Sequence, residues 1–455
     1  MTYVDTLVLG GGPGGYVAAI RAAQLGRSVA IVENRWWGGV CLNVGCIPTK
    51  ALLRNAEIAD LVTRRAADYG VSGDIRLDYA TGWRRSRAVA DQMARGVSFL
   101  LKKNGVQAVT GWGTFTGPRS LQVNGDEWQF GQAIIATGAV PKTPPGVPVG
   151  GRVMTYEQLI MRDTVPKSLV IAGSGAIGVE FASIMAAFGC EVTIVEALGR
   201  LLPGEDESLG GELARAFRKR GIKMMVDAPV TAVAEMADGV QVRVGEEQVL
   251  QADALLLAFG FSPRTDGFGL EATGVGLDPT GFIEVDEMMR TNVPGIFAIG
   301  DVTGKLMLAH VASAQGMVAA EAGAGLGASP IDYRMMPRAI YSEPQVAAFG
   351  LTADQAGVEG REVLVSRFPL AANGKANGLG QPTGFVQLVA DANTHQLVGA
   401  QMVGPDVTEL LPELVLAADN GLPVNRIASA VHAHPTLSEA VMQAAMGIGG
   451  KPIDI

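Results

Sequence analysis

Apolar residues along most of this chain alternate between short continuous runs and longer stretches with helical spacing. The runs at residues 5–9 and 169–172 have the length of buried strands, and a glycine-rich turn follows each of them. An Ala-rich stretch with apolar residues three and four positions apart comes next, which is typical of a helix. Strands that alternate with helices in this way predict an α/β fold with parallel sheets.

The pattern changes twice further along the chain. Between residues 54 and 103, Ala, Leu and Arg recur at helical spacing and predict two long helices. From about residue 335, strands separated by glycine-rich stretches predict an antiparallel sheet followed by helices. The remaining predicted strands are 106–109, 121–123 and 132–138 before this change, with strands at 341–350, 386–389 and 397–403 and helices at 410–419 and 424–431 after it.

Composition and charge limit the class of protein. A length of 455 residues favours about three domains, and 48% hydrophobic residues supply enough apolar side chains for large cores. The formal net charge of -9 argues against nucleic acid as the main partner, because phosphate binding needs a basic excess. Three cysteines are too few for a secreted disulfide framework. The first predicted strand leaves no room for a leader peptide and no apolar stretch has the length of a membrane span, so we expect a cytoplasmic protein.

A glycine-rich turn follows the first predicted strand. Gly10, Gly12 and Gly15 form a G-x-G-x-x-G pattern before a helix, and the second strand ends at Glu33. The first glycine makes a tight turn, the second admits a pyrophosphate, and the third lets helix and strand pack closely, while the acid binds a ribose hydroxyl. In this context the glycines predict a dinucleotide site, whereas the pattern alone would say little. Trp36 and Trp37 are expected to pack at the edge of the nucleotide cleft.

The same unit occurs a second time. Gly173, Gly175 and Gly178 follow a strand and precede a helix, and Glu196 lies at the same offset from the first glycine as the acid of the first copy. Two such units predict two dinucleotides rather than a duplication with one lost site. An acid at this position accepts a hydrogen bond from a free ribose 2′-hydroxyl and repels a 2′-phosphate, which favours NAD over NADP. Arg200 lies past the end of the strand and does not change this preference.

Two cysteines lie between the two units, at the start of a helical stretch. Cys41 and Cys46 are five positions apart, so they do not share a face of a regular helix. A bond between their sulfurs needs an irregular first turn, which Gly45 and Pro48 tolerate. A thiol at a helix N-terminus has a lowered pKa because it meets the positive end of the helix dipole. The pattern suggests a redox-active disulfide, although two buried and inert cysteines would also fit the spacing.

The cysteine segment also carries a family resemblance. Residues 38–50, GGVCLNVGCIPTK, resemble the active-site signature of the pyridine nucleotide-disulfide oxidoreductases, and most of all that of the dihydrolipoamide dehydrogenases. Thr49 stands where the family usually has Ser. The resemblance covers nearly the whole chain and implies two Rossmann-like domains, one for FAD and one for NAD, with a C-terminal α+β dimerisation domain. The implied limits are 1–146 and 265–334 for the two parts of the FAD domain, 147–264 for the NAD domain and 335–455 for the dimerisation domain.

The resemblance assigns roles to single residues. Lys50 would pair with Glu180 beside the flavin, because opposite charges are buried there only together. His434 would be the acid–base group, oriented by Glu439, and would reach Cys41 of the partner subunit. No metal is expected. The remaining implied contacts are Gly10, Gly12, Gly15, Glu33, Lys50, Gly113, Thr137, Asp301 and Ala309 for FAD, and Gly173, Gly175, Gly178, Glu196 and Gly260 for NAD.

The implied activity is the oxidation of protein-bound dihydrolipoyl groups by NAD. A substrate thiolate, formed by His434, would attack Cys41, and Cys46 would leave as a thiolate from which electrons pass through FAD to NAD. The implied partners are a second copy of the chain in a homodimer, and the lipoyl domains and acyltransferase core of 2-oxo acid dehydrogenase complexes.

Several alternatives remain open from the sequence. Mercuric and some thioredoxin reductases carry a C-terminal redox pair, but no cysteine follows Cys190 here. A glutathione-type reductase would prefer NADP, against the acid at Glu196, and a mycothione-type reductase is a further sister activity. A single-cysteine NADH oxidase conflicts with the cysteine pair. A docking subunit with a vestigial flavin is the alternative from a different class, and the intact cysteine pair with His434 argues against it.

Overall fold

A computed structural model describes residues 2–455 of the chain. Its first elements are β1 (Thr2–Leu9), α1 (Pro13–Gln24), β2 (Val29–Glu33), α2 (Gly39–Asn43), α3 (Cys46–Arg64), α4 (Tyr79–Lys103), β3 (Gln107–Thr110), β4 (Gly113–Gly117), β5 (Ser120–Val123), β6 (Asp126–Ile135) and β7 (Ala139–Pro141). Strands β3, β2, β1 and β6 lie side by side in parallel, and β5 and β4 continue the sheet antiparallel beyond β6. The buried strands β1 and β2 place the first glycine turn at the carboxyl edge of this sheet, where ligands of open α/β sheets bind.

The next part of the chain builds a second parallel sheet. Its elements are β8 (Val153–Thr155), α5 (Tyr156–Leu159), β9 (Ser168–Ala172), α6 (Ala176–Ala187), β10 (Glu191–Val195), α7 (Glu207–Lys219), β11 (Lys223–Met225), β12 (Val230–Glu235), β13 (Val240–Val244), β14 (Gln248–Ala252), β15 (Ala254–Leu257) and β16 (Phe261–Pro263). The parallel order is β11-β10-β9-β15-β8, and β12, β13 and β14 form a separate antiparallel sheet. Strand β16 pairs with β7, which ties the two parts together.

The chain then returns to the first sheet through β17 (Ile296–Ala298) and α8 (Ala309–Gly323). Strand β17 extends the parallel part by pairing with β6. Helices α1 and α8 approach closely, since a Cβ on Gly316 would lie 2.6 Å from the carbonyl oxygen of Gly14. Both sheets are therefore completed by strands that are distant in sequence.

The last part of the chain is an antiparallel sheet with helices on it. The elements are β18 (Arg338–Ile340), β19 (Gln345–Gly350), α9 (Ala353–Val358), β20 (Val363–Pro369), α10 (Gly374–Gly378), β21 (Phe385–Asp391), β22 (Leu397–Gly404), α11 (Leu411–Asp419), α12 (Val424–Ser429) and α13 (Glu439–Gly449). The strand order is β18-β19-β22-β21-β20. Phe349, Phe368 and Leu388 of the sheet share a buried core with Leu414 and Val441 of the helices.

The predicted fold class is confirmed: two parallel α/β units are followed by an antiparallel α+β unit. The two long helices predicted between 54 and 103 are α3 and α4, although α3 begins earlier, at Cys46. Strand β6 begins before the predicted 132–138 and ends at Ile135, because it pairs with β1 along most of its length. The prediction missed β4 and the sheet β12-β13-β14, although the alternating VQVRV of β13 is a strand signal. No helix within residues 2–455 is both long and apolar enough to cross a membrane.

Candidate active site between the two nucleotide folds

The first glycine turn has room only for glycine at two positions. Gly10 has a φ of 110°, and a Cβ on it would lie 2.2 Å from the carbonyl oxygen of Ala136. A Cβ on Gly15 would lie 1.9 Å from the carbonyl oxygen of Gly10. Gly12 is the N-cap of α1, so backbone N–H groups at the positive end of that helix face the turn. The turn is shaped to receive a pyrophosphate.

The second turn repeats this geometry. Gly173 has a φ of 109°, and a Cβ on it would lie 2.4 Å from the carbonyl oxygen of Ala258. A Cβ on Gly178 would lie 2.0 Å from the carbonyl oxygen of Gly173. Gly175 is the N-cap of α6, as Gly12 is of α1. The sequence duplication is therefore a structural duplication.

The two predicted ribose acids occupy equivalent positions. One Glu33 oxygen accepts a hydrogen bond from the N–H of Gly11 at 2.7 Å, and the other accepts one from the N–H of Arg35 at 2.7 Å. One Glu196 oxygen accepts from the N–H of Ser174 at 2.8 Å and from its hydroxyl at 2.7 Å. Each acid is thus fixed against the residue after the first glycine of its own turn.

The cysteine segment is built from two helices with a break between them. Cys41 lies in the short α2, and Cys46 is the first residue of α3. The irregular start expected from the spacing is this break. A Cβ on Gly45 would lie 3.0 Å from the carbonyl oxygen of Val40 and 3.2 Å from the Cα of Cys41, so only glycine lets the two helices approach this closely.

The two thiols interact directly and differ in acidity. Both cysteines are free thiols in the structure. A hydrogen bond to Cys46 raises the pKa of Cys41, and burial raises it further. The same hydrogen bond lowers the pKa of Cys46, and although burial opposes this, the charge of Lys50 supports it. Negative charge on the pair is therefore held at Cys46, the sulfur at the N-terminus of α3.

Lys50 and Glu180 form the ion pair that the resemblance implied. The Lys50 Nζ lies 3.0 and 2.9 Å from the two carboxylate oxygens of Glu180. The backbone N–H of Tyr341 donates to the same carboxylate at 2.9 Å. Burial works against the charge of Lys50, but the Glu180 carboxylate keeps the pKa of Lys50 above its ordinary value. The contact joins α3, α6 and the start of the last sheet, so two charged side chains and one backbone N–H from three parts of the chain meet beside the cysteines.

One cleft connects these groups. It is a cavity of about 320 Å³ between the two parallel sheets. Its walls include the N-terminus of α1, both cysteines and the first turn of α6. The sequence-predicted residues on its walls are Gly12, Glu33, Cys41, Cys46, Lys50, Thr137, Glu180, Asp301 and Ala309.

Asp301 is an open acceptor on this cleft. Burial raises the pKa of Asp301 to about 6. Among residues 2–455, no hydrogen bond is donated to its carboxylate. An acid in this position, just after β17, is available to the hydroxyl groups of a bound ligand. Thr137, on the opposite wall, donates its hydroxyl to the carbonyl oxygen of Arg264 at 2.7 Å.

Several predicted nucleotide residues lie outside the cleft walls. Gly113, an expected flavin contact, lies in β4, where a Cβ would be 2.8 Å from the Cδ1 of Leu9, so packing alone accounts for its small size. Gly260 has a φ of 88° and lies in the turn before β16. Gly10 and Gly15 belong to the first turn but do not line the cleft. The remaining residues, Gly173, Gly175, Gly178 and Glu196, belong to the second turn and do not face this cleft.

His434 and Glu439 form a pair at the surface, away from the cysteines. The His434 Nδ1 lies 2.9 Å from a Glu439 oxygen, and the N–H of Thr436 donates to the other oxygen at 2.8 Å. Slight burial alone would raise the pKa of Glu439, but the Thr436 N–H and the His434 imidazole outweigh it and lower that pKa. The His434 side chain is 79% exposed. Within residues 2–455 of one chain, no histidine lines the cleft.

The sequence did not identify all the cleft residues. Tyr156 and Phe261 line it with their rings 6.0 Å apart in an edge-to-face contact. Arg35 also lines it and pairs with Glu157. Trp36 lies on the wall as expected, whereas Trp37 does not line the cleft and packs against the core of the first nucleotide fold. An Arg next to a Trp, two positions after the ribose acid, was a signal for Arg35, whereas no local pattern points to Glu157.

Comparison with known proteins agrees with this site. The family model described as pyridine nucleotide-disulphide oxidoreductase matches residues 4–316, and that of its dimerisation domain matches residues 336–445. The chain is 48% identical to dihydrolipoyl dehydrogenase of Mycobacterium leprae, over 100% of both chains. It is 47% identical to that of Corynebacterium glutamicum, over 99% of both. It is 40% identical to that of Bacillus subtilis, over 99% of both.

Solved structures show the same fold. LpdA from Mycobacterium tuberculosis matches with a TM-score of 0.92 and 28% identity, covering 98% of this chain and 99% of that one. The HOCl-induced flavoprotein disulfide reductase RclA from Escherichia coli, as a Cu(II) complex, matches with a TM-score of 0.90 and 28% identity, covering 98% and 100%.

Proposed function

This chain belongs to the pyridine nucleotide-disulphide oxidoreductase family, and from that premise we infer that it is a dihydrolipoyl dehydrogenase, an enzyme that oxidises dihydrolipoyl groups with NAD. One structural observation carries the chemistry. Cys41 and Cys46 meet at the start of α3, on a cleft that also takes in the first glycine turn and the Lys50–Glu180 pair. The relatives with 40–49% identity over nearly their full length bear the name of this activity. The alternative activities have no comparable support.

FAD and NAD are the cofactors of this family, and the residues of the cleft fit FAD. Gly12 and the N-terminus of α1 suit its pyrophosphate, Glu33 suits a ribose hydroxyl, and the unpartnered Asp301 carboxylate suits a polyhydroxyl chain. We assign NAD to the second turn, where Glu196 would accept from the ribose 2′-hydroxyl. The flavin, when bound, supplies two-electron transfer between a thiolate and a pyridine nucleotide.

The protein groups then have separate roles. In the oxidised enzyme Cys41 and Cys46 would be joined by a disulfide; an incoming substrate thiolate attacks Cys41, the Cys41–Cys46 bond breaks, and Cys46 leaves as the more stable thiolate. The second substrate thiol then displaces Cys41 from the mixed disulfide, which leaves both cysteines reduced, as they are in the structure. Lys50 stabilises that thiolate, and Glu180 keeps the charge of Lys50 in place. With the thiolate formed, the single positive charge of Lys50 faces two negative charges, so Lys50 favours the Cys46 thiolate and the charge of Glu180 opposes it.

His434 is the proposed base for the substrate thiol. Its Nδ1 is directed by Glu439, which leaves Nε2 free to accept a proton, as in other oriented imidazoles. Because His434 is exposed and lies away from the cleft of its own chain, we place it in the cleft of a second copy. The match of residues 336–445 to a dimerisation domain supports such a homodimer.

Two further proposals follow from family membership. The physiological substrates are lipoyl domains of 2-oxo acid dehydrogenase complexes, bound together with their acyltransferase core. The domain limits are those expected from the sequence, with the FAD domain interrupted by the NAD domain at about residues 147–264. The cytoplasmic location remains a prediction.

A direct assay tests the function. Purified protein is mixed with dihydrolipoamide and NAD, and NADH formation is followed by absorbance. In parallel, NADPH oxidation by glutathione disulfide is measured. NADH formation with little NADPH oxidation is expected. Turnover in the second assay alone would overturn both the substrate and the nucleotide assignment.

A further inference from the structure

One ion pair at the cleft, between Arg35 and Glu157, involves neither cysteine. Arg35 lies two positions after β2, whereas Glu157 lies in α5, directly after β8 of the second sheet. The Arg35 Nη1 and a Glu157 oxygen are 3.1 Å apart. The contact therefore links the rim of the first nucleotide fold to the edge of the second sheet.

On the first side of the cleft, Arg35 is part of a fixed turn. The guanidinium carbon lies 3.5 Å from the ring centroid of Trp36, a close cation–π contact. Glu33 accepts hydrogen bonds from the backbone N–H groups of both Arg35, at 2.7 Å, and Trp36, at 3.2 Å. All three residues line the cleft. The guanidinium is thus held on the same turn as the ribose acid.

On the side of the second sheet, Glu157 lies in the short helix α5. Helix α5 begins with a capping box in which Thr155 and Gln158 bond to each other's backbone. The Glu157 side chain is only 15% exposed, and its neighbour Tyr156 lines the cleft against Phe261. A largely buried carboxylate beside the wall residue Tyr156 therefore meets the guanidinium of Arg35 on the facing turn.

We propose that Arg35 and Glu157 form a clasp that retains the flavin nucleotide in the cleft. The proposal rests on the proposed function only in placing FAD beside the first turn. The Trp36 ring restricts the Arg35 guanidinium and burial restricts the Glu157 side chain, so less side-chain entropy is lost in this contact than in a fully exposed ion pair. The contact joins the two walls and opens before the nucleotide leaves. Arg35 is a positioning residue and takes no part in the sulfur chemistry.

The test is the rate of FAD release from the holoenzyme. The protein is diluted into flavin-free buffer with a trap for free FAD, and the rise of flavin fluorescence is recorded. Arg35→Ala and Glu157→Gln are each expected to release FAD about three- to tenfold faster, the size of one exposed ion pair with its ring contact. The double variant is expected to be no faster than Arg35→Ala, because both substitutions break one interaction.

The controls separate this effect from general loosening and from the function itself. Arg215→Ala, which breaks an exposed pair with Glu212 on α7, is expected to release FAD at the wild-type rate. Turnover in Arg215→Ala is expected to stay within about twofold of wild type. Wild-type release rates in Arg35→Ala, or in Glu157→Gln alone, would overturn the clasp. A protein that binds FAD but does not oxidise dihydrolipoamide would overturn the proposed function and leave the clasp standing.

Discussion

The two glycine turns of this protein have almost the same backbone but different surroundings. The first turn lies under the cysteine segment: a Cβ on Gly39 would be 2.6 Å from the Cα of Gly12. The second turn has no such cover at its N-cap, where a Cβ on Gly175 would meet nothing within 4 Å. None of the second turn's three fingerprint glycines lines the cleft, although Ala176, Ile177, Glu180 and Phe181 of the helix that follows do.

This difference shows what a glycine fingerprint determines. The spacing of the glycines fixes the turn, since a Cβ at the third glycine collides with the first glycine's carbonyl in both copies. How long a nucleotide stays is decided by what packs on the turn. A covered site suits a resident cofactor, and an open one suits a nucleotide that enters and leaves in each cycle. We therefore place FAD in the first copy and NAD in the second.

The largest effect is expected when one sulfur is removed from the cysteine segment that packs on the first glycine turn. Cys46→Ser is expected to lower dihydrolipoamide turnover by about a thousandfold or more, because it deletes the sulfur that takes the negative charge. Bound FAD is expected to remain. The matched control is Cys190→Ala, a buried thiol outside the cleft, which should change turnover by less than about twofold. Equal losses in the two variants would contradict this role of Cys46.

The next test concerns the Lys50–Glu180 ion pair, which joins α3 to the helix that follows the second glycine turn. Lys50→Met leaves the buried Glu180 carboxylate without its cation, and Glu180→Gln leaves the lysine without its anion. Each is expected to shift the flavin absorbance and to lower the Tm by about 5 °C, a value reduced for the partial exposure of Lys50. The double variant should lose less than the sum of the two. Strict additivity, or unchanged spectra in both single variants, would remove the pair from the account.

Substitution of the two ribose acids, Glu33 and Glu196, tests whether the two turns bind different nucleotides. Glu196→Gln replaces an acceptor that holds two donors of Ser174 and is expected to raise the KM for NAD about tenfold, without loss of bound FAD. Glu33→Gln should do the reverse: FAD is released faster and the KM for NAD stays the same. Steady-state kinetics and flavin content measure both effects. A loss of FAD in the Glu196 variant would mean that the sites are assigned the wrong way round.

The last test concerns Asp301 in the FAD cleft, whose substitution is expected to change only the dependence of stability on pH. The pKa of Asp301 is raised from 3.8 to about 6, so the folded protein holds this proton more tightly than the unfolded chain. Its contribution to stability is complete below about pH 4 and is lost as pH rises through 6. Flavin-free Asp301→Asn should therefore have a Tm about 5 °C above wild type at pH 8 and equal to it near pH 3. A lower Tm at pH 8 would contradict this sign.

Local signals explain what could be predicted from the sequence. The glycine turns, the helix that begins at Cys46 and the strands around them lie within short stretches, where spacing and periodicity are informative. The Lys50–Glu180 contact came from family resemblance, because no periodicity links residues so far apart. The clasp between Arg35 and Glu157 was missed for the same reason. Asp301 was expected as a ligand, but its lack of any protein donor is visible only once the sheets are assembled.

The measurement that tests the central claim most directly is the FAD content of Gly15→Ala and Gly178→Ala, purified and assayed side by side. The two substitutions place a Cβ 1.9 and 2.0 Å from the carbonyl of the first glycine in their own turns, so they are matched in steric effect. Gly178→Ala is expected to keep about one FAD per chain while its KM for NAD rises steeply, and Gly15→Ala is expected to lose its FAD. A Gly178→Ala protein without FAD, or a Gly15→Ala protein that keeps it, would contradict the assignment.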